Sequence, residues 1–167
     1  MLIAFAGLPG TGKTTLARAL ARERRASYLR VDTIEQALRD SGALAGEVGP
    51  AGYIVAYQLA AANLRLGQVV VADSVNPLAI TRAAWRAVAR DAGVALVEVE
   101  VICSDLPEHR RRVETRTIDV PGLAPPSWEA VVAREYEAWD GPHVVIDTAR
   151  RSEADALAEL RARLPGP

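Results

Sequence analysis

Lysine is almost absent from this chain of 167 residues: of its 20 basic residues, only Lys13 is a lysine and the other 19 are arginines. Cysteine is equally scarce. The single Cys103 excludes an intramolecular disulfide framework and favours a reducing compartment. No apolar run approaches the roughly 18 residues of a membrane span, and no basic segment precedes the first apolar run. We therefore expect a soluble, cytoplasmic protein that does not enter a membrane.

The chain also has no large excess of positive or negative charge. The formal net charge is −1, so no overall positive field points to duplex nucleic acid or to an anionic membrane. The two histidines have no neighbours that suggest a metal site. With 167 residues and 50% hydrophobic content, the chain can bury one substantial core, which predicts a single domain over residues 1–167. The sequence does not set the oligomeric state.

The lone lysine lies in a segment that matches the phosphate-binding pattern G-x-x-x-x-G-K-[ST] at every fixed position. Glycines let backbone N–H groups turn inward around phosphates, and a compact ammonium fits beside phosphate oxygens where a planar guanidinium is too large. An apolar strand over residues 2–6 precedes the segment, and a helix from Thr15 to Arg25 follows it. The predicted nucleotide-binding residues are Gly7, Leu8, Pro9, Gly10, Thr11, Gly12, Lys13, Thr14 and Thr15.

Strand and helix patterns alternate along the rest of the chain. This alternation predicts an α/β fold, a three-layer doubly wound parallel sheet of about five strands with right-handed crossovers. Further strands are expected at 27–31, 68–72, 94–102 and 143–147, and further helices at 33–40, 53–66, 77–92, 106–116, 127–139 and 152–164.

Several segments have particular expectations. Residues 41–52 hold four glycines and a proline, which predicts a loop near the middle of the fold. The helix at 106–116 is polar with a thin apolar stripe, which favours a lid over about 106–126. Glu98 and Glu100 share one face of their strand, which places it toward the side of the sheet. Ser127 and Ser152 are expected to cap the last two helices.

Two aspartates follow predicted strands at the sheet edge where ligands of parallel sheets gather. Asp73 follows a run of apolar residues and fits the Walker B role of holding Mg²⁺, together with the hydroxyl of Thr14; a turn or cap residue is the alternative. Asp32 is the predicted general base, which would accept a proton from an attacking hydroxyl. The alternative for Asp32 is a helix N-cap, with Glu35 completing a capping box.

The predicted lid helix carries four arginines. Arg112 and Arg116 have i, i+4 spacing, so both could reach a transferring phosphoryl group from one helix face. A solvated helix with ion pairs is the alternative, and for Arg110 and Arg111 it is preferred. We therefore predict Lys13, Asp32, Arg112 and Arg116 as catalytic residues.

Absent motifs narrow the reaction. A guanine-reading Asn-Lys-x-Asp segment requires a second lysine, so a guanine switch of that type is excluded. Motor ATPases usually place a glutamate after the Walker B aspartate to activate water, whereas Ser74 follows Asp73 here. Transfer of phosphate to an acceptor is therefore favoured over hydrolysis.

With these residues in view, the chain resembles the small P-loop kinases that include polynucleotide 5′-hydroxyl kinases, zeta toxins and chloramphenicol phosphotransferase. The resemblance rests on the phosphate loop, Asp32, the segment Asp73-Ser74-Val75-Asn76-Pro77, the arginine-bearing lid and the closing Asp147-Thr148. It implies a P-loop kinase fold, ATP and Mg²⁺ as cofactors, Asp32 as the base and Arg112 as the lid arginine. Residues 118–123 and 128–139 resemble a branch described only as predicted ATP-binding kinases.

One departure bears on the acceptor. In the polynucleotide kinase domain an arginine follows three residues after the base and holds the acceptor's phosphate, whereas Glu35 stands there in this chain. The replacement disfavours a nucleic-acid end and favours a neutral or cationic small molecule. The leading hypothesis is an ATP- and Mg²⁺-dependent kinase acting on a hydroxyl of a small molecule. The alternatives are a polynucleotide 5′-hydroxyl or nucleoside kinase, and a nucleotide-responsive ATP-binding protein with little turnover.

Overall fold

Strands and helices alternate through the computed structural model, which describes residues 1–44 and 46–166. Ala45, inside the predicted loop 41–52, and Pro167, at the end of the predicted domain, lie outside the described residues. Among the described residues no helix is both long enough and apolar enough to cross a membrane. The strands are β1 (Leu2–Ala6), β2 (Ser27–Arg30), β3 (Val70–Asp73), β4 (Leu96–Ile102) and β5 (Val144–Asp147). The helices are α1 (Lys13–Glu23), α2 (Val31–Asp40), α3 (Ala51–Arg65), α4 (Ala79–Asp91), α5 (Leu106–Thr115), α6 (Trp128–Val132) and α7 (Glu153–Arg163).

The sheet has the strand order β2-β3-β1-β4-β5, and every neighbouring pair is parallel. The central strand β1 is fully buried, as expected for a strand covered on both faces. One apolar cluster joins the sheet to Leu16 and Leu160 of α1 and α7, and a second joins the other face to Ala56 and Trp85 of α3 and α4. The predicted three-layer parallel sheet of five strands is confirmed.

Strand β4 is the fourth of the five strands, next to the edge strand β5, in agreement with a position toward the side of the sheet. It pairs with β1 on one side and with β5 on the other. Its two glutamates have protein partners: Arg86 Nε donates to Glu98 Oε2 over 2.9 Å, and His143 Nε2 lies 3.1 Å from Glu100 Oε2. Because each carboxylate has a side-chain partner on one of its oxygens, this polar strand face is compatible with a strand that is paired on both sides.

The helix predicted at 127–139 ends at Val132, so Tyr136 and Trp139 lie beyond its end. Ser127 caps it as predicted, accepting from the Ala130 N–H. Beyond Val132 the chain is held by Arg82, which is fully buried in α4. Its guanidinium donates to the carbonyls of Glu137 and Ala138 over 3.2 and 2.9 Å and lies over the Trp139 ring. These tertiary contacts replace helical ones.

The start of α2 also differs from prediction. The helix begins at Val31, so Asp32 lies within its first turn, and the N-cap Arg30 makes no side-chain capping bond. The alternative hypothesis, in which Asp32 is the N-cap and Glu35 completes a capping box, is therefore wrong. Ser152, by contrast, caps α7 as predicted by accepting from the Asp155 N–H.

Gly7, directly after β1, has a backbone conformation that a side chain would strain. Its φ is +139°, and a Cβ at this position would lie 2.3 Å from the Val101 carbonyl oxygen. Gly7→Ala should therefore lower the free energy of unfolding by about 2 kcal/mol or more. Urea unfolding followed by circular dichroism measures this change. Gly46→Ala is the matched control, since an added methyl group there meets nothing within 4 Å. Equal stability of the two variants would contradict the steric argument.

Candidate active site

The predicted phosphate loop connects β1 to the N-terminus of α1. Gly10 and Gly12 have φ values of +86° and +91°, which only glycine adopts freely, and Gly12 is the N-cap of α1. The Thr11 hydroxyl donates to the Leu8 carbonyl over 2.9 Å and closes the turn. The loop therefore presents glycine backbone and a helix N-terminus toward one site, an arrangement that suits phosphate.

Lys13 and Asp73 form a buried ion pair at the base of this loop. Lys13 Nζ lies 2.5 Å from Asp73 Oδ1, and the side chains are 7% and 0% exposed. Burial alone would raise the pKa of Asp73, but the charge of Lys13 and the hydrogen bonds from Lys13 and Tyr28 outweigh it and lower the pKa. Asp73 is thus an ionised carboxylate at the end of β3.

Tyr28 is a member of the site that the sequence did not reveal. Its hydroxyl, on β2, donates to Asp73 Oδ2 over 2.6 Å. Burial and the charge of Asp73 raise the pKa of Tyr28, so the phenol stays protonated and keeps donating. The contact depends on the pairing of β2 with β3, and no local motif marks it.

Thr14 and Asp73, the predicted magnesium ligands, offer a hydroxyl and a carboxylate, and such hard oxygen donors fit Mg²⁺. Within the described part of the chain there is no group of three or more His, Cys, Asp or Glu side chains that could hold a metal. A metal ion here would therefore take its other ligands from water and from nucleotide phosphates.

Helix α5, the start of the predicted lid, packs directly on the phosphate loop. His109 Nε2 lies 2.8 Å from the Pro9 carbonyl oxygen, and a Cβ on Gly10 would lie 2.6 Å from Val113 Cγ2. His109 and Val113 are both buried. The face of α5 that carries His109 and Val113 is thus the surface that contacts the phosphate loop.

Arg112 links α5 to the loop through Thr148. Its Nη1 donates to Thr148 Oγ1 over 2.8 Å, and that hydroxyl donates to the Thr11 carbonyl over 2.7 Å. Its Nε donates to Glu108 Oε1 over 2.8 Å. The pairing of Arg112 with Glu108 is an i, i+4 ion pair of the kind that the solvated-helix alternative describes. Sequence reasoning missed Thr148 as a contact of the loop.

Arg116 is the C-cap residue of α5. The helix ends at Thr115, but the Arg116 N–H still donates to the Arg112 carbonyl over 3.1 Å, so the two residues keep the predicted i, i+4 relation at the end of the helix. Burial lowers the pKa of Arg116, and the negative charge of Asp32 opposes this shift. Both arginines line the same cavity. On the outside of α5, Arg110 and Arg111 are exposed and pair with Glu114 and Glu108.

Asp32 faces the same cavity from the first turn of α2. Its Oδ2 accepts from Arg30 Nη2 over 3.3 Å, and its side chain is 35% exposed. One turn further, burial and the charge of Asp32 raise the pKa of Glu35. Glu35 pairs with Arg39 at 3.4 Å.

A single cavity of about 1000 Å³ joins the phosphate loop to Asp32. Lys13 and Thr14 line one end, Asp32 and Glu35 the other, and Gly49 and Pro50 from the predicted glycine-rich loop also reach it. Its apolar wall, on α3, the segment after β3 and the first turn of α4, comprises Ile54, Tyr57, Val75, Pro77, Leu78 and Ile80.

Residues 2–122 of the chain match a protein family that is described as an AAA domain. Two uncharacterized proteins, from Mycobacterium tuberculosis and Mycobacterium bovis, are each 35% identical to the chain over 161 residues. The match covers 86% of this chain but only 30% of either relative, so the chain spans less than a third of their length.

The fold is similar to several solved structures. A candidate kinase from Chloroflexus aurantiacus has a TM-score of 0.74, at 22% identity and 98% coverage of both chains. The APS kinase CysC from Mycobacterium tuberculosis, in complex with AMPPNP and APS, has a TM-score of 0.71 at 20% identity, covering 96% of this chain and 95% of that one. A gluconokinase from Sinorhizobium meliloti has a TM-score of 0.63 at 19% identity, covering 95% and 91%. The predicted P-loop kinase fold is confirmed.

The ion pair of Lys13 and Asp73 predicts a pH-dependent stability. Asp73→Asn leaves a buried ammonium without its counterion and should lower the free energy of unfolding at pH 7 by about 3 kcal/mol. Because the pKa of Asp73 is lowered on folding, the wild-type advantage is complete above the unfolded-state pKa of about 3.9. It is lost as the pH falls below that value through the folded-state pKa.

Denaturant unfolding of wild type and Asp73→Asn from pH 7 to pH 3 measures this gap. Asp91→Asn is the control, because Asp91 is exposed and its ion pair is with its neighbour Arg90 at the surface. A gap between wild type and Asp73→Asn that stays constant down to pH 3 would show that the charge of Asp73 does not stabilise the fold.

Proposed function

Because the chain belongs to the AAA domain family and has the fold of the small P-loop kinases, we propose that it is an ATP- and Mg²⁺-dependent kinase acting on a hydroxyl group of a small molecule. The observation that carries this proposal is the single cavity that joins the phosphate loop to Asp32. A donor site and a candidate base that share one cavity can bring a phosphate and an acceptor together.

The donor half comprises the phosphate loop and the pair of Lys13 and Asp73. Lys13 would bind phosphate oxygens as a point charge, and Thr14 and Asp73 would hold a magnesium ion, whose charge would offset that of the nucleotide phosphates. The missing guanine motif favours adenine, and the AMPPNP bound by the similar APS kinase supports it. Nucleotide binding follows from the family; the choice of ATP is our proposal.

In the acceptor half, Asp32 accepts the proton of the acceptor hydroxyl. The hydroxyl oxygen then bonds to the γ-phosphorus while the bond from that phosphorus to the β,γ-bridging oxygen breaks, and ADP leaves. Arg112 and Arg116, which line the cavity between the two halves, stabilise the negative charge of the transferring group. Transfer in this way is direct from ATP to the acceptor, and no covalent intermediate forms on the protein.

The dimensions of the site favour a small acceptor. The whole cavity has a volume of about 1000 Å³, within the range of small-molecule sites, and the nucleotide phosphates would occupy part of it. The apolar wall around Ile54 and Leu78 supports an acceptor with a carbon skeleton that packs against it. The next experiment distinguishes such a small acceptor from a polynucleotide 5′ end.

Transfer from γ-³²P-labelled ATP to sugars, aminoglycosides, nucleosides and 5′-hydroxyl oligonucleotides tests the proposal. We expect the wild type to label a small molecule, and Asp32→Asn to lose at least about 100-fold in rate because the general base is gone. AMPPNP affinity should stay within about twofold, since the side chain of Asp32 pairs with Arg30 and not with a residue of the phosphate loop.

The exposed Asp91→Asn variant is the control and should behave as wild type. Labelled oligonucleotide alone would favour the polynucleotide kinase alternative. No labelled acceptor, together with a raised melting temperature in AMPPNP, would favour the ATP-binding protein.

Lys13→Arg tests the donor half. Lys13 is 6% exposed and its Nζ already lies 2.5 Å from Asp73, so the larger guanidinium does not fit although it keeps the charge. Transfer should fall by roughly 100-fold or more. The reciprocal control is Arg111→Lys on the exposed face of α5, which should retain full activity. Full activity of Lys13→Arg would refute the geometric argument.

A further inference from the structure

Three arginines from separate elements meet in the acceptor half of the cavity. Arg18 lies on α1, Arg30 immediately precedes α2, and Arg116 follows α5; all three line the cavity. Arg18 and Arg30 belong to no motif, because only the fold brings α1, β2 and the lid together. The acceptor half is therefore more basic than the linear sequence around Asp32 indicates.

A carboxylate of the protein already occupies part of this cluster. Asp119, three residues after Arg116, accepts from Arg30 Nη1 over 2.7 Å, and its other oxygen contacts Arg18 Nη2. Burial opposes ionisation of Asp119, but Arg30 and Arg18 outweigh it and lower the pKa. Asp119 is thus an anion held by two guanidinium groups, and it is itself 39% exposed.

The arginines keep unused hydrogen-bonding capacity. Arg30 is only 8% exposed, and among the described residues its Nε has no hydrogen-bond partner. The Nε of Arg116 is likewise buried without a partner in the described chain. Buried guanidinium groups with free donors favour an anion that can accept from several of them.

We propose that the acceptor carries an anionic group, a carboxylate, sulfate or phosphate, which binds to Arg18, Arg30 and Arg116 in place of the carboxylate of Asp119. This inference rests on the proposed kinase function. It revises the expectation of a neutral or cationic acceptor, which was drawn from Glu35 alone. Glu35 pairs with Arg39, and the positive charge comes from other elements.

The position of Arg30 also connects this anion site to the reaction. Arg30 Nη2 donates to Asp32 Oδ2 over 3.3 Å while Nη1 binds Asp119. An acceptor anion that replaces Asp119 would therefore bind the same guanidinium group, that of Arg30, as the proposed general base Asp32. Its hydroxyl could reach Asp32 while its charged end stays fixed, so the arginine cluster orients the acceptor as well as binding it.

Sulfate is the probe for the site, titrated by calorimetry into protein whose phosphate loop is filled with AMPPNP and Mg²⁺. We expect the wild type to bind sulfate and Arg18→Gln to bind it roughly tenfold more weakly, through loss of one charge-assisted contact. Arg18 is chosen over Arg30 because its side chain is 40% exposed, so the variant should fold. Asp119→Asn removes the competing carboxylate and should bind sulfate several-fold more tightly.

The control is Arg111→Gln, on the exposed face of α5, which should match the wild type. Sulfate binding that disappears once AMPPNP is bound would assign these arginines to the nucleotide and overturn the inference. Equal sulfate affinity of wild type, Arg18→Gln and Asp119→Asn would overturn it as well, since an adventitious surface anion would give that result.

A second measurement uses the acceptor that the labelling panel identifies and its derivative with an amide in place of the anionic group. We expect kcat/KM to fall at least about tenfold for the amide, and Arg18→Gln to raise KM for the anionic form with kcat nearly kept. An acceptor without an anionic group, or equal use of both forms, would overturn the inference but leave the kinase function standing. If no acceptor is labelled, the kinase function fails, and the sulfate titration still decides on the anion site.

Discussion

The site depends on one buried ion pair, that of Lys13 with Asp73. It joins the first residue of α1 to the last residue of β3, and Tyr28 on β2 holds the second oxygen of the same carboxylate. Three neighbouring elements are thus fixed around one ionised group. The remaining features of the site are arranged around it: the phosphate loop precedes Lys13, and the cavity opens from this pair toward α2.

Much of the fold and part of the site could be predicted because the signals are local. The phosphate loop, the five strands and the placement of Asp32 and Asp73 at strand ends follow from spacing and apolar runs. Tyr28, Thr148, Arg18 and Arg30 could not be predicted, because each acts through a residue at least 45 positions away in sequence, such as Asp73 for Tyr28 or Asp119 for Arg30. Such contacts exist only once the strands and helices have packed.

The wrong predictions concern where helices begin and end, because each followed a local pattern. Asp32 has the residue type and spacing of a cap, yet α2 begins at Val31, two residues before the predicted start. Residues 133–139 are expected to be helical, yet Arg82 donates hydrogen bonds to the carbonyls of Glu137 and Ala138. In this second case the energetic gain of packing exceeds a weak helix propensity.

Arg82 shows that a single buried side chain can bind backbone that is distant from it in the sequence. A guanidinium with five donors in a rigid plane can bind several carbonyls and also cover an aromatic ring, which the single point charge of a lysine cannot do. One side chain of α4 therefore helps to fix the path of a segment more than 50 residues downstream. The only lysine of this chain lies in the phosphate-binding pattern, whereas an arginine is buried in the fold and holds backbone in place, so the abundance of arginine has a structural as well as a compositional consequence.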